Sequence, residues 1–372
     1  MLLVGNYAND GQESMQRFAL LMQRGLSEAG HEVRIRRPVP LAGQLYPSGQ
    51  EFGKWLGYVD KFAIFPPILA TAAHWADIIH ICDHSNAMYA PRDKRLPTVI
   101  TCHDMLAVRG ALGEDTDCPA SRTGKMLQRW IIAGLRRADK LACVSSATSQ
   151  DVKRIVGVDR CSPEVILNGL NYPYSTLPEA VAKRRLTEIA PVRHRRFVLH
   201  VGSNLRRKNR EGVIRAFALA ASSIAMDLVL AGPELSPHLN DLAKDFGVAD
   251  RIHVVVKPTN ENLETLYNSA LAMVFPSRFE GFGWPLIEAQ ASGCPIICSR
   301  CSPFDEVVGN AALMRDADDE RGFAMDIVRL ASDAREWNAL RCKGLRNAHR
   351  FLPDTMISAY ISLYESLIRN DH

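Results

Sequence analysis

The sequence has no long apolar run. Its longest weakly charged stretch, Phe62 to Ala76, carries Pro66, Pro67 and His74 and falls short of a bilayer span, so no transmembrane helix is predicted. The first residues, Met-Leu-Leu-Val-Gly-Asn-Tyr, lack a basic region ahead of an apolar one, and no secretory signal is expected. Charge of one sign is scarce too. Lys and Arg number 45 against 41 Asp and Glu, a net charge of +4 that is too small to argue for nucleic acid. The excess lies in the first half, at Arg34, Arg36 and Arg37 and then Arg122, Lys125, Arg129, Arg136 and Arg137. That patch reads either as a solvated face or as a contact for anionic membrane or substrate.

Nine cysteines without a secretion signal read as reduced thiols in the cytoplasm. Cys82, Cys102, Cys143 and Cys298 fall in or at the ends of apolar strand-like runs, where Cys acts as a small hydrophobe. Cys294, Cys298 and Cys301 match the C-x3-C-x2-C spacing of a radical iron–sulfur site, yet they straddle a helix end, a strand and a loop. A cluster needs three thiolates converging on one point, and a buried strand holds Cys294 and Cys298 apart. No metal and no cofactor are expected.

What is present is a globular composition, 47% hydrophobic and 23% charged, in 372 residues, too many for one ordinary core. Short apolar runs alternate with helical patterns throughout, the mark of parallel sheets wrapped by helices. Strands are predicted at 2–5, 32–36, 78–82, 98–101, 140–144 and 165–167, then at 197–202, 226–231, 252–256, 272–275 and 295–298, with 312–314 as an edge piece. Glu13 to Ala29 is an amphipathic helix stopped by Gly30. The basic stretch Lys183 to Arg196, interrupted by Pro191, reads as the connection between two domains, 1–185 and 195–353, with a last helix over 354–372. Two doubly wound domains facing each other leave a cleft at the carboxyl ends of their strands, where ligands bind.

Candidate site residues all follow predicted strands. In Pro276–Ser299, Glu280 precedes Gly281, Phe282 and Gly283; Pro285 opens a short helix bearing Leu286 and Glu288, and Gly293 closes it. Backbone amides at that helix start suit an anion, and the two carboxylates suit sugar hydroxyls, although a solvated loop and an ordinary helix explain the same residues. After the 197–202 strand, Val201-Gly-Ser-Asn-Leu-Arg-Arg-Lys-Asn209 places Arg207 and Lys208 at a helix start. Positive charge is locally unfavourable there unless something anionic binds.

Together these segments resemble the retaining, nucleotide-sugar-dependent glycosyltransferases of family 4. The resemblance rests on Phe-Glu-Gly-Phe-Gly-x-Pro-x-x-Glu-Ala-x-Ala-x-Gly-x-Pro over 279–295 and on Val-Gly-x-x-x-x-Arg-Lys-Asn over 201–209. It extends over nearly the whole chain, strongest from 197 to 310 and weakest from 38 to 75. It implies an α/β architecture of two facing Rossmann-like domains (GT-B), with the C-terminal helix packing back on the first. It also implies roles. Arg207 and Lys208 grip the diphosphate, Glu280 with the Gly281–Gly283 amides holds the donor sugar, and Glu288 binds the ribose. His103, in Thr101-Cys-His-Asp-Met105, reaches the sugar from the first domain. Gly11, Ser203, Gly232, Lys257, Phe282 and Leu286 complete the donor surface. Two departures stand out: Asp10 replaces the first of two adjacent glycines, and Ser203 stands where many members carry Arg.

The reading is thus a retaining glycosyltransferase in polysaccharide, lipopolysaccharide or glycolipid synthesis. It is expected to be independent of metal, because two cations take a metal's place and no Asp-x-Asp metal motif is expected beside these residues. Its partners are a nucleotide-sugar donor and a saccharide or lipid-linked acceptor, with peripheral membrane contact at the inner face. Tyr46, Phe52, Trp55, Tyr58, Phe62 and Phe65 either meet that acceptor or pack a helix on the core. The alternatives are a sugar-nucleotide epimerase or phosphorylase on the same fold, or a non-catalytic nucleotide-sugar binder.

Overall fold

In a computed structural model of the chain, which describes residues 1–41, 56–92, 95–157, 162–192 and 195–368, two six-stranded sheets form, parallel throughout. The first comprises β1 (Leu2–Val4), β2 (Arg34–Arg36), β3 (Ile79–Ile81), β4 (Thr98–Cys102), β5 (Lys140–Cys143) and β6 (Glu164–Val165), in the order β2-β1-β3-β4-β5-β6. The second comprises β7 (Phe197–Val201), β8 (Asp227–Ala231), β9 (Ile252–Val255), β10 (Met273–Phe275), β11 (Ile296–Ser299) and β12 (Leu313–Arg315), in the order β12-β11-β10-β7-β8-β9. Leu3 pairs with Ile35 on one side and His80 on the other, and Leu199 with Val229 and Met273. Both faces of such sheets are covered by helices, so the central strands read as unbroken apolar runs.

The chain divides into two compact units, Met1–Asn171 with Pro353–His372, and Tyr172–Leu352. The first break falls before the expected connection at 183–196. The Glu179–Glu188 helix packs against the Asn260–Ser269 helix, with Arg185 Nη1 3.2 Å from Glu264 Oε2. Ser175 and Leu177 donate backbone N–H groups to Glu264 and Asn268, so this basic segment is part of the second unit.

In the first unit the Glu13–Glu28 helix buries Phe18, Ala19, Met22 and Leu26, one face at helical spacing. The Pro353–Ile368 helix joins the same unit. Ile357 packs so closely on Gly25 that a Cβ there would stand 2.5 Å from it, Tyr360 meets Thr101 Oγ1 at 2.8 Å, and Tyr364 meets His80 Nδ1 at 2.7 Å. In the second unit, Val198, Phe217, Leu228, Leu230, Val274, Ile297 and Phe323 share a core. Of the aromatic segment, Tyr46, Phe52 and Trp55 lie outside the described residues. Phe65 is buried against Tyr89, while Phe62 packs between Tyr58 and Trp130. Among the described residues no helix is long and apolar enough to cross a membrane.

Candidate active site

Strand order picks out one place in the second sheet. The connection from β7 runs to β8 on one side and the chain reaches β10 on the other, so the loops leaving β7 and β10 diverge around a crevice at their carboxyl ends. Residues 202–209 leave β7 and residues 276–283 leave β10. Backbone and side chains lock the two loops together. Arg278 N donates to Arg207 O at 2.8 Å, Arg207 Nη1 donates to Phe279 O at 3.2 Å, and Asn209 Nδ2 donates to Pro276 O at 3.3 Å.

Glu280 is the centre of this junction. Its Oε2 accepts from Arg207 Nη1 at 3.1 Å and its Oε1 from Lys208 Nζ. The Glu280 side chain is 9% exposed, Lys208 14% and Arg207 22%. Burial alone pushes the carboxyl pKa up, but the charges of Lys208 and Arg207 outweigh it, and Glu280 is held below its ordinary range. Two cations facing one carboxylate leave one positive charge over. Lys208 Nζ also lies 5.2 Å from the centre of the Phe275 ring.

Three buried residues outside the candidate set build the floor. Asn209 stands in the left-handed region at φ 53 and caps the Arg210–Ala221 helix, accepting from Gly212 N. Arg210 is 2% exposed and donates to Gly202 O at 2.8 Å, Pro233 O at 2.8 Å and Asn204 Oδ1 at 2.7 Å, so it ties the turn after β7 to the turn after β8. Burial pulls its pKa down to about 10. His200 Nδ1 meets Val274 O at 3.0 Å, and burial holds its pKa down to about 3, so the ring under Gly202 is neutral. The sequence signal for Arg210 is slight, a third basic residue running into a helix.

The other candidates fall around this core. Gly232, at φ 149, follows β8; a Cβ there would sit 2.1 Å from Gly202 O, so the glycine is required by the neighbouring backbone itself. Lys257 follows β9, exposed and at φ 45, an unusual conformation for a residue with a side chain. Ser203 is half-buried beside Gly202. Gly283, at φ 101, caps the Trp284–Ala291 helix after Gly281. Phe282 and Leu286 turn their side chains into the interior, Phe282 against Phe351, which leaves them only backbone groups to offer a ligand. Glu288 is 4% exposed and its Oε2 accepts from Tyr267 Oη at 2.9 Å.

In the first sheet the corresponding divergence lies between β1 and β3. Gly11, at φ 66, ends a short turn just before the Glu13–Glu28 helix. Asn6, after β1, donates to Asp83 Oδ2, after β3, at 2.6 Å, and His84 Nδ1 lies 3.1 Å from Asp83 Oδ1. Burial would raise the Asp83 pKa, but His84, His103 and Ser85 together hold it well below the carboxylate range. His103 follows β4; its ring is 6% exposed, edge-on to Phe18 at 4.6 Å, with Nε2 2.9 Å from Cys82 O. Burial lowers its pKa against the pull of Asp83, which keeps the imidazole neutral. Asn6, Asp83 and His84 were not among the sequence candidates, although Asp83-His84 follows a strand as His103-Asp104 does.

Cys294, Cys298 and Cys301 are buried, and burial raises the thiol pKa of each, to about 12 for Cys294 and Cys301. Contrary to the sequence expectation, an Asp-x-Asp segment does stand beside the site: the fold brings Asp316-Ala-Asp318, which follows β12, to Arg278, with Asp318 Oδ1 2.5 Å from Arg278 Nη2.

Comparison with known proteins gives the same arrangement a context. The family model described as Glycosyltransferase Family 4 matches residues 15–172, and the one described as Glycosyl transferases group 1 matches residues 187–342. The chain is 29% identical over 175 residues to O-antigen chain mannosyltransferase B of Escherichia coli, an alignment taking in 46% of each chain, so it spans about half the length of that curated relative. Sucrose-phosphate synthase from Thermosynechococcus elongatus superposes with a TM-score of 0.77 at 21% identity, over 99% of both chains. The Anabaena protein HepE, solved in complex with UDP-glucose, superposes with a TM-score of 0.73 at 17% identity, over 98% of this chain and all of that one. Those two likenesses are of fold.

Proposed function

The chain belongs to the group 1, family 4 glycosyltransferases, and from that premise we propose that it moves a sugar from a nucleotide diphosphate sugar to a hydroxyl acceptor. The observation that carries the proposal is the buried Glu280 held between Arg207 and Lys208 where the second sheet diverges. Breaking the bond between an anomeric carbon and a diphosphate builds negative charge on the departing phosphate oxygen. Cations already fixed in a partly dry site lower that barrier most, because they need no reorganisation as the charge appears. Glu280 supplies the fixing, and the single positive charge in excess is left to attract the diphosphate.

In this reading Arg207 and Lys208 stabilise the leaving diphosphate, and Glu280 with the Gly281–Gly283 amides orients the donor sugar. Glu288 takes the ribose hydroxyls, with Tyr267 holding its carboxylate in place. Gly11, Ser203, Gly232 and Lys257 offer backbone or small-residue contacts to the nucleotide and sugar, as do the main chains of Phe282 and Leu286. Neutral His103 is assigned a hydrogen bond to the sugar. The incoming hydroxyl loses its proton to the departing phosphate on the same face, so anomeric configuration is retained. Charge neutralisation by Arg207 and Lys208 makes the reaction independent of metal. A nucleotide diphosphate sugar fits the cation pair, and a saccharide or lipid-linked acceptor, met in the cytoplasm or at the inner face of the membrane, fits the synthesis of polysaccharide, lipopolysaccharide or glycolipid.

Lys208→Ala is expected to fold with unchanged circular dichroism and to lose at least about 100-fold in transfer rate with full-length protein, acceptor and a panel of nucleotide diphosphate sugars. Near-normal turnover in that variant would remove the proposal, and loss of activity in EDTA would remove its metal independence. Donor incubated alone distinguishes an epimerase, which interconverts the sugar with no acceptor present.

A further inference from the structure

The second unit holds a cavity of about 1160 Å³ that none of the candidate residues touches. It is lined by Phe197, Met226, Leu271 and Gly293, which lie at or just before the first residues of β7, β8, β10 and β11. It therefore sits at the amino ends of the sheet, whereas Arg207, Lys208 and Glu280 follow the carboxyl ends.

Its charge is one-sided. Arg184, Arg196 and Arg341 line it, and none of their guanidinium groups has a hydrogen bond or a carboxylate partner among the described residues. The other lining charges are matched: Arg195 pairs with Asp227, and Lys183 with Glu179 at 2.5 Å. Arg341 is half-buried, with its guanidinium 6.0 Å from the centre of the Trp337 ring, and Trp337 is itself anchored by Nε1 donating to Leu271 O at 2.7 Å. A Cβ on Gly293 would stand 3.0 Å from Arg341 Nε, so the glycine admits the guanidinium over the turn.

The second observation is a buried hydroxyl. Ser292 lines the cavity, is 2% exposed, and its Oγ has no hydrogen-bond partner among the described residues. A buried hydroxyl left without a partner costs roughly 1–3 kcal/mol, a cost that a ligand accepting or donating there removes. Three unmatched guanidinium groups, an aromatic wall and one waiting hydroxyl are the recognition set for a phosphate group on a small organic body.

We propose that this groove is a second binding site, for a soluble phosphate-bearing small molecule, separate from the donor site. The inference does not rest on sugar transfer. Titration calorimetry of pyrophosphate into the full chain is expected to show two binding events. Lys208→Ala abolishes one. The double variant Arg184→Gln/Arg341→Gln weakens the other at least ten-fold and leaves the Lys208-dependent event in place. Arg184→Gln/Arg196→Gln, confined to exposed side chains, gives the same result should Arg341→Gln impair folding. A single event abolished by Lys208→Ala overturns the proposal, as do two events unchanged in both groove variants. Binding to phosphatidylglycerol vesicles that is lost in the groove variants, with no groove event for pyrophosphate, overturns the soluble ligand in favour of a lipid headgroup.

Discussion

Glu280 shows how a single residue's environment sets its chemistry. Standing alone on a loop it would be a solvated carboxylate, and the Glu-x7-Glu spacing says no more than that. In the fold it is 9% exposed, its pKa raised by burial yet brought below the ordinary value by Lys208 and Arg207. A folded-state pKa below the unfolded one means the stabilisation is present at neutral pH and is lost as pH falls through the folded value. Glu280→Gln is thus expected to be less stable than the wild type at neutral pH, with the gap closing on acidification below the ordinary carboxylate range. Urea denaturation across that range measures it, and a gap independent of pH would contradict an ionised Glu280. Glu280, Arg207 and Lys208 were legible because each stands in a long local pattern. Arg210 was not, because its partners are carbonyl groups of Gly202 and Pro233, which no side-chain pattern marks. Phe282 and Leu286 sit in the same local pattern, but only packing shows that their side chains leave the surface.

The element scale concerns turns more than strands. The twelve strands of the described residues were anticipated, with ends shifted by a residue or two, since most are short apolar runs bounded by turn residues; the edge strands β2, Arg-Ile-Arg, and β6, Glu-Val, are the exceptions. What positions the site is how the turns after β7 and β8 approach each other. Gly232 has no room for a Cβ, at 2.1 Å from Gly202 O, and its φ of 149 is one that side-chain-bearing residues seldom adopt. Gly232→Ala is therefore expected to destabilise the second unit by about 2–4 kcal/mol, combining backbone strain with displacement of a packed turn. The same variant should weaken nucleotide binding, because Arg210 holds both turns. A calorimetric melt and a UDP titration on one sample check this, and a melt equal to the wild type would show that the turn yields freely. A glycine followed by proline, read from sequence, is only a turn; the need for glycine comes from a carbonyl thirty residues earlier.

At the scale of the whole molecule, the chain returns to its beginning. The Pro353–Ile368 helix buries Met356, Ile357, Tyr360, Leu363 and Tyr364 in the unit that starts at Met1. Five such side chains represent on the order of 10 kcal/mol of apolar burial, as large as the net stability of a typical domain. Protein truncated after Leu352 is expected to lose the cooperative melt of the first unit while that of the second persists. Calorimetry that still resolves both transitions would overturn this. By itself, the sequence determined the alternation of strand and helix and the family pattern in which Glu280, Arg207 and Lys208 stand as candidates, because strand and helix periodicity, turn residues and motif spacing are local properties. The tertiary structure alone decided the strand orders and the break at Asn171. It alone showed the buried links made by Arg210, His200 and Asp83, and which arginines are left unmatched among the described residues. Each of these depends on contacts between residues far apart in the chain, and such contacts leave no trace in local spacing.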